Sequence, residues 1–241
     1  MKPFKFRASS LGRIMTDALS IDPALLTGEL AAIARKKSKT DEDKVLLAPL
    51  RERTLSAGAK TFLDQLAKEF VYGFEQAVSS KYLDKGTQVE GDSIDLYNAV
   101  FFTSLTKNTE RRENEWITGE CDIVTPARII DIKSAWSLAT FPATAAQAHD
   151  ADYEWQMRAY MWLWDRPEAE VAYCLVDTPP DLIGHEDETL HCVSHINPAL
   201  RVTPVRYQRD HRLEQRIQAK VQAANAYIEA AIRQIADEHP L

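Results

Sequence analysis

The segment Arg128-Ile129-Ile130-Asp131-Ile132-Lys133-Ser134 constrains this chain more than any other. It reads as a β-strand, and strand side chains alternate between faces. Ile130 and Ile132 then share one face, while Asp131 and Lys133 share the other. Opposite charges inside an otherwise apolar strand are costly unless they are paired or hold a metal. Residues 116–125 read as a second strand, with Thr125-Pro126-Ala127 as the turn between the two. That hairpin returns Asp122 towards Asp131, so two carboxylates and an ammonium converge. A bare Asp-x-Lys is more often an ion pair at a strand end. The flanking isoleucines and Asp122 are what favour a built site here.

Around the hairpin the pattern is mostly helical. Residues 6–17 read as an extended stretch followed by a short helix, with Ser9 or Ser10 as N-cap and Leu11, Ile14 and Met15 as its apolar stripe. Helices are expected over 24–36, 57–78, 86–100, 150–164 and 211–236. The second of these rests on Phe62, Leu63, Leu66, Phe70, Phe74 and Val78 at helical spacing in the 57–78 window. The charged run 35–44 reads as a mobile loop, either a solvated linker or a DNA-contacting segment. Residues 171–176 and 201–207 read as strands. Helices, hairpin, helix, two strands and a closing helix suggest an α/β chain with a mixed sheet flanked by helices.

Two carboxylates beside a lysine suit phosphodiester hydrolysis. Mg²⁺ takes oxygen ligands, polarises a phosphoryl oxygen and lowers the pKa of bound water. Lysine stabilises the charge that develops on the phosphorus or positions the attacking water. In Lys85-Gly86-Thr87-Gln88-Val89-Glu90, Glu90 opens a helix and is placed to reach the same metal; a first-turn glutamate favoured by the helix dipole is the plainer reading. Gln156 and Tyr160 are four residues apart and lie on one helix face.

The ordered set Ser9, Gly86…Glu90, Gly119…Asp122, Asp131-Ile132-Lys133 and Gln156…Tyr160 resembles the PD-(D/E)XK nuclease superfamily. More narrowly it resembles the YqaJ-type viral recombinases, the lambda-exonuclease-like family. RecB-type nuclease domains share the Gln-x-x-x-Tyr motif. The likeness covers residues 6–176. Cys121 stands where the superfamily name has proline, and Asp131 where close relatives often carry glutamate.

The resemblance implies an α+β core with a central mixed sheet, a single nuclease domain over 1–241 and a C-terminal extension over about 180–241. Glu90, Asp122, Asp131 and the Ile132 carbonyl would ligate Mg²⁺ or Mn²⁺, and Lys133 would be the catalytic lysine. Gln156 and Tyr160 would position the lysine, the water or the DNA backbone. Arg7, Ser9 and Ser10 fall in a segment that contacts the DNA end. The implied activity is 5′-to-3′ exonuclease action on linear duplex DNA in a phage or prophage recombination system. The implied partners are a single-strand annealing protein and two further copies in a trimeric ring. An endonuclease of the same fold and a degenerate DNA-binding module are the alternatives.

Other residues are more ambiguous. Trp136 and Phe141 follow the lysine strand and read as DNA contacts or as packing. Arg111 and Arg112 read as phosphate contacts or as a solvated turn. Trp155, Trp162 and Trp164 read as core rather than as a stacking platform. Arg212, Arg216, Lys220 and Arg233 of the last helix are expected mostly at solvent. The net charge of −7 argues against nonspecific coating of DNA but not against a local groove. Three cysteines supply neither a disulfide framework nor an iron–sulfur cluster. His191, Cys192 and His195 lack a fourth zinc ligand at a familiar spacing and read as a strand with one polar face. No run is long and apolar enough for a membrane span or a signal peptide, so a cytoplasmic location in a bacterial host is expected.

Overall fold

The computed structural model describes residues 3–77 and 79–239. They fall into two units, Met1–Gln76 with Asp210–Leu241 and Ala77–Arg209.

The first unit is helical. After β1 (Phe6–Arg7) the chain makes a 3₁₀ turn, Ala8–Ser10, and then α1 (Gly12–Met15). Neither serine caps that helix. Leu11 is its N-cap, and Ser10 Oγ donates to the Arg7 carbonyl at 3.1 Å. The helix expected over 24–36 is shorter: a 3₁₀ turn at Pro23–Leu25 precedes α2 (Gly28–Arg35).

The charged run that follows is not a loop throughout, because α3 (Asp41–Arg53) begins inside it. Thr40 Oγ1 accepts from the Asp43 amide at 3.2 Å, and Asp43 Oδ2 accepts from the Thr40 amide at 3.1 Å. This reciprocal cap satisfies two orphan donors, and three acids in the first turn suit the helix dipole. The apolar stripe was too thin to reveal the helix, since Leu47 is buried but Val45 and Leu46 are exposed.

α4 (Ala57–Tyr72) ends at Gly73, whose φ of 65° is the left-handed conformation that terminates helices. The helix expected over 57–78 is therefore shorter: Phe74 lies beyond its observed end, and Val78 lies outside the described residues. The C-terminal helix, His211–Glu238, packs on α4. It buries Ile217, Val221, Ala224 and Ile228 along one face, against a partner face with Ala59, Leu63 and Ala67. Each fully buried aliphatic side chain contributes roughly 1.5–3 kcal/mol. Lys220 lies on that buried side rather than at solvent, with Nζ 2.5 Å from the Thr54 carbonyl. Arg216 is partly buried and pairs with Glu52 at 2.6 Å.

The second unit carries the main sheet. The helix expected over 86–100 is two helices, α5 (Lys81–Gln88) and α6 (Glu90–Phe101), broken at Val89 with ψ 16°. β2 (Arg112–Glu113) pairs antiparallel with β3 (Ile117–Gly119). β4 (Ile123–Val124) pairs antiparallel with β5 (Arg128–Ser134). The strand expected over 116–125 is thus two strands, interrupted at 120–122. Next come α7 (Ala145–Ala148) and α8 (Ala151–Trp164), the latter capped by Asp150. β6 (Glu168–Cys174), α9 (Pro180–Ile183) and β7 (Val202–Gln208) complete the unit.

The sheet order is β4-β5-β6-β7, with β5 and β6 parallel and the outer pairs antiparallel. It is the mixed sheet that the pattern implied. The parallel pair needs a crossover, and α8 supplies it. His191–Ile196 is not a strand but a series of turns.

Alternation along β5 divides its environment as the sequence requires. Ile130 and Ile132 enter a core with Val89, Ile94, Leu96 and Tyr97 of the α5–α6 segment and Ala172 and Cys174 of β6. Asp131 and Lys133 point the other way, towards α8. One buried charge sits on the core side. Glu170 of β6 is fully buried and accepts from Tyr97 Oη at 2.8 Å, Arg128 Nη1 at 3.1 Å and Arg206 Nε at 2.8 Å. It ties α6, β5 and β7 to β6. Removing it leaves Arg128 and Tyr97 without their buried acceptor. Glu170→Ala is therefore expected to cost about 3 kcal/mol in urea unfolding, whereas Glu168→Ala, at a partly exposed pair with Arg128, costs less than about 1 kcal/mol. Equal losses would contradict this role for Glu170.

Candidate active site

The break between β3 and β4 gives the site its shape. The β4–β5 register places Ile123 opposite Ile130, and one step further along the same register Asp122 comes opposite Asp131. Freed from regular pairing, Asp122 turns its carboxylate onto the neighbouring strand. Its Oδ2 accepts from the Ile132 amide at 2.6 Å. Lys133 Nζ stands 2.6 Å from Asp131 Oδ2. That oxygen is buried and accepts no well-directed hydrogen bond, which leaves it a lone pair to offer.

α8 completes the site from above the strand. Gln156 Nε2 donates to Tyr160 Oη at 2.9 Å and makes a long contact of 3.4 Å to Asp131 Oδ1. Tyr160 Oη in turn donates to the Glu120 carbonyl at 2.8 Å, in the segment between β3 and β4. The pair thus holds Asp131 on one side and the chain beside Asp122 on the other. Tyr153, one turn before Gln156, lays its ring 4.6 Å from Lys133 Nζ. Cation–π attraction of this kind fixes an ammonium without competing for its protons.

The electrostatics follow from burial. Burial pushes the Asp122 carboxyl up to about 7, with repulsion from Asp131 next; the Ile132 amide and Lys133 oppose this, and Glu90 adds to it. For Lys133, burial works against the charged form, but the Asp131 charge and hydrogen bond outweigh it and leave the lysine more firmly protonated than usual. The site is therefore short of positive charge: one lysine faces two carboxylates that repel each other.

Glu90, at the start of α6, is turned away. Its Oε2 pairs with Lys107, and among the described residues no three His, Cys, Asp or Glu side chains converge closely enough to hold one ion together. Two of the three expected carboxylates thus meet on β4–β5, and the third stands close enough for its charge to reach Asp122. The residues fit a hard divalent cation. Their donors are all oxygen, Asp131 Oδ2 has a free lone pair, and Asp122 is destabilised for want of positive charge.

The other expected residues have partners or places of their own. Arg7, Ser9 and Ser10 belong to the first unit. Arg111 is half-exposed and pairs with Glu120 at 3.2 Å, while Arg112 lies on β2 and pairs with Glu110 at 2.9 Å. Trp136 is buried, its indole N–H donating to Glu186 at 2.9 Å between Tyr82 and His191. Trp164 is core, as expected.

Three residues escaped the sequence reading. Tyr153 shares the helix face of Gln156 and Tyr160, so spacing could have shown it. Lys107 had no local signal. Lys85 was passed over as a helix residue beside Gly86. It is fully buried and donates to the carbonyls of Ala135 at 2.7 Å, Trp136 at 2.9 Å and Val176 at 3.0 Å. Burial lowers its pKa to about 8. It pins α5, and through it the start of α6 with Glu90, to the ends of β5 and β6.

A phage-related exonuclease from Haemophilus somnus 129PT has a crystal structure that matches this one with a TM-score of 0.79, at 33% identity over 97% of both chains. The chain belongs to the phage-related exonucleases. An alkaline exonuclease from Laribacter hongkongensis, LHK-Exo, matches with a TM-score of 0.58 over 78% of this chain and 88% of its own, at 16% identity. Its complex with dAMP matches at 0.57 and 18% identity. At that distance the likeness shows the fold alone, a nuclease fold with helices flanking a mixed sheet. No family model and no curated protein sequence matches the chain. Among the described residues, no helix is long and apolar enough to cross a membrane.

For a phage-related exonuclease free of metal, the Asp122 shift sets a pH dependence. The folded state holds this proton more tightly than the unfolded chain does. Its contribution to stability therefore falls as pH rises from about 4 through about 7. In EDTA, Asp122→Asn should flatten that slope and raise unfolding free energy at pH 8 by roughly 2–4 kcal/mol, with little gain at pH 4. Urea titrations at the two pH values measure it. An unchanged slope in the variant would show that Asp122 is not the strained group.

Proposed function

We propose that this protein is a Mg²⁺- or Mn²⁺-dependent exodeoxyribonuclease that degrades linear duplex DNA from its 5′ ends. The observation that carries the reading is the convergence of Asp122, Asp131 and Lys133 on β4–β5, with Asp122 destabilised and Asp131 Oδ2, paired with Lys133, keeping a further lone pair to offer. Membership of the phage-related exonucleases supports it independently.

Glu90, Asp122, Asp131 and the Ile132 carbonyl would hold the cation. When bound, such an ion supplies a Lewis acid for the phosphoryl oxygen and a water of lowered pKa. The remaining steps belong to the chain's own groups. Lys133 stays protonated and offers positive charge where negative charge builds on the phosphoryl and leaving oxygens as water attacks phosphorus and the bond to the leaving oxygen lengthens. Tyr153 and Asp131 hold the ammonium from two sides, and Gln156 and Tyr160 fix the height of α8 over the strand. Burial keeps bulk water from screening these charges.

Arg111, half-exposed and paired with Glu120 of the segment that leads to Asp122, is the first candidate phosphate contact. Arg112 and the Arg7-Ala8-Ser9-Ser10 stretch are further candidates for the DNA backbone. Polarity, a single-strand annealing partner, a trimeric ring and a place in phage recombination in the bacterial cytoplasm rest on the YqaJ-type pattern of motifs. The linear duplex substrate rests on the same pattern, while cation-assisted phosphodiester hydrolysis is the part that the site itself supports.

End-labelled linear duplex and closed circular DNA, each with Mg²⁺ or EDTA, test the reading. Loss of mononucleotides from 5′ ends only with metal, and intact circles, are expected. Lys133→Ala should lower kcat by about 10²–10⁴-fold with KM for DNA changed much less. Cut circles would favour an endonuclease. DNA binding with no cleavage under either metal would favour a binding module.

A further inference from the structure

Lys107 has no part in the mechanism above, yet it is the second cation at the acid cluster. Its place is set by the backbone. The Asn108 amide donates to the Asp122 carbonyl at 2.6 Å, and Asn108 Nδ2 donates to the Cys121 carbonyl at 2.9 Å. The lysine stem is therefore rooted on the segment that carries Asp122. From there its ammonium pairs with Glu90 Oε2. With Glu90 so engaged, only Asp122 and Asp131 converge.

We propose that Lys107 is a stand-in counter-ion, occupying Glu90 until the divalent cation displaces it. The proposal rests on the metal reading above. Its physics is an exchange of one cation for another at a single carboxylate. The lysine side chain is half-exposed, so its ammonium can swing into water at small cost, while Asn108 keeps its root in place. Before exchange, the pair spares Glu90 from adding a third free carboxylate to an already repulsive pair. After exchange, the released ammonium stays beside the site, where a DNA phosphate would meet it. Lys107 is thus a positioning residue for Glu90 and a brake on metal affinity.

Titration calorimetry of Mn²⁺ into metal-free protein without DNA tests it. Lys107→Met should bind Mn²⁺ on the order of three- to tenfold more tightly than wild type. In a Glu90→Gln background the same substitution should bring little gain. Circular dichroism confirms that each variant is folded. Equal affinities for wild type and Lys107→Met would overturn the proposal. So would an equal gain with and without Glu90, which marks a general effect of charge. Asp131→Asn separates the two levels of the argument. If it abolishes binding while Lys107→Met changes nothing, only the role of Lys107 falls. If wild type binds no Mn²⁺, or Asp131→Asn binds it as wild type does, the metal reading falls and the Lys107 proposal with it.

Discussion

Asp122 and Asp131 face each other where water can do little to separate their charges, and much of the second unit follows from holding them there. Two carboxylates placed in this way repel, and Asp122 takes the strain as a raised proton affinity. The fold bears that cost through backbone. The Ile132 amide fixes Asp122, and the break between β3 and β4 lets Asp122 turn towards it. Lys133 neutralises part of the field through its pair with Asp131 Oδ2, which keeps a further lone pair to offer. Such an arrangement costs stability, a cost that a cation of the kind proposed above would offset.

The same logic recurs at the other buried charges. Two of them are satisfied several times over, as suits a charge withdrawn from water. Glu170 accepts from three donors on three elements, and Lys85 donates to three carbonyls. Glu170 sits on the core side of the sheet, and Lys85 at the strand ends. Glu170 locks α6 beneath β5, and Lys85 locks α5 to the ends of β5 and β6. Between them they fix the helix start from which Glu90 projects. Tyr160, bonded to the Glu120 carbonyl, does the same for α8 above the strand.

How much of this could be read in the sequence depended on how local the signal was. Asp131 and Lys133 were legible because alternation along one strand decides their face. Gln156 and Tyr160 were legible because helical spacing decides theirs. The break between β3 and β4 was not, since 116–125 is apolar enough to pass for one strand, and only the tertiary bond from Ile132 to Asp122 shows why it bends. α3 was hidden for the opposite reason: its charge suggested a loop, while the Thr40–Asp43 cap and a single buried leucine made a helix. Lys220 lay on a face judged by its charge alone, whereas its neighbours Ile217, Val221 and Ala224 mark that face as buried. Lys107 and Lys85 act across gaps of 17 and about 50 or more residues, which no local pattern reports.

The central claim is that the acidic pair on β4–β5 is a cation site. Anomalous diffraction at the manganese edge, from crystals soaked in Mn²⁺, tests it most directly. The account predicts a peak bounded by the Asp122 and Asp131 carboxylates and the Ile132 carbonyl, with Glu90 turned in from Lys107. A fully occupied Mn²⁺ elsewhere in the second unit, with none between these carboxylates, would contradict it.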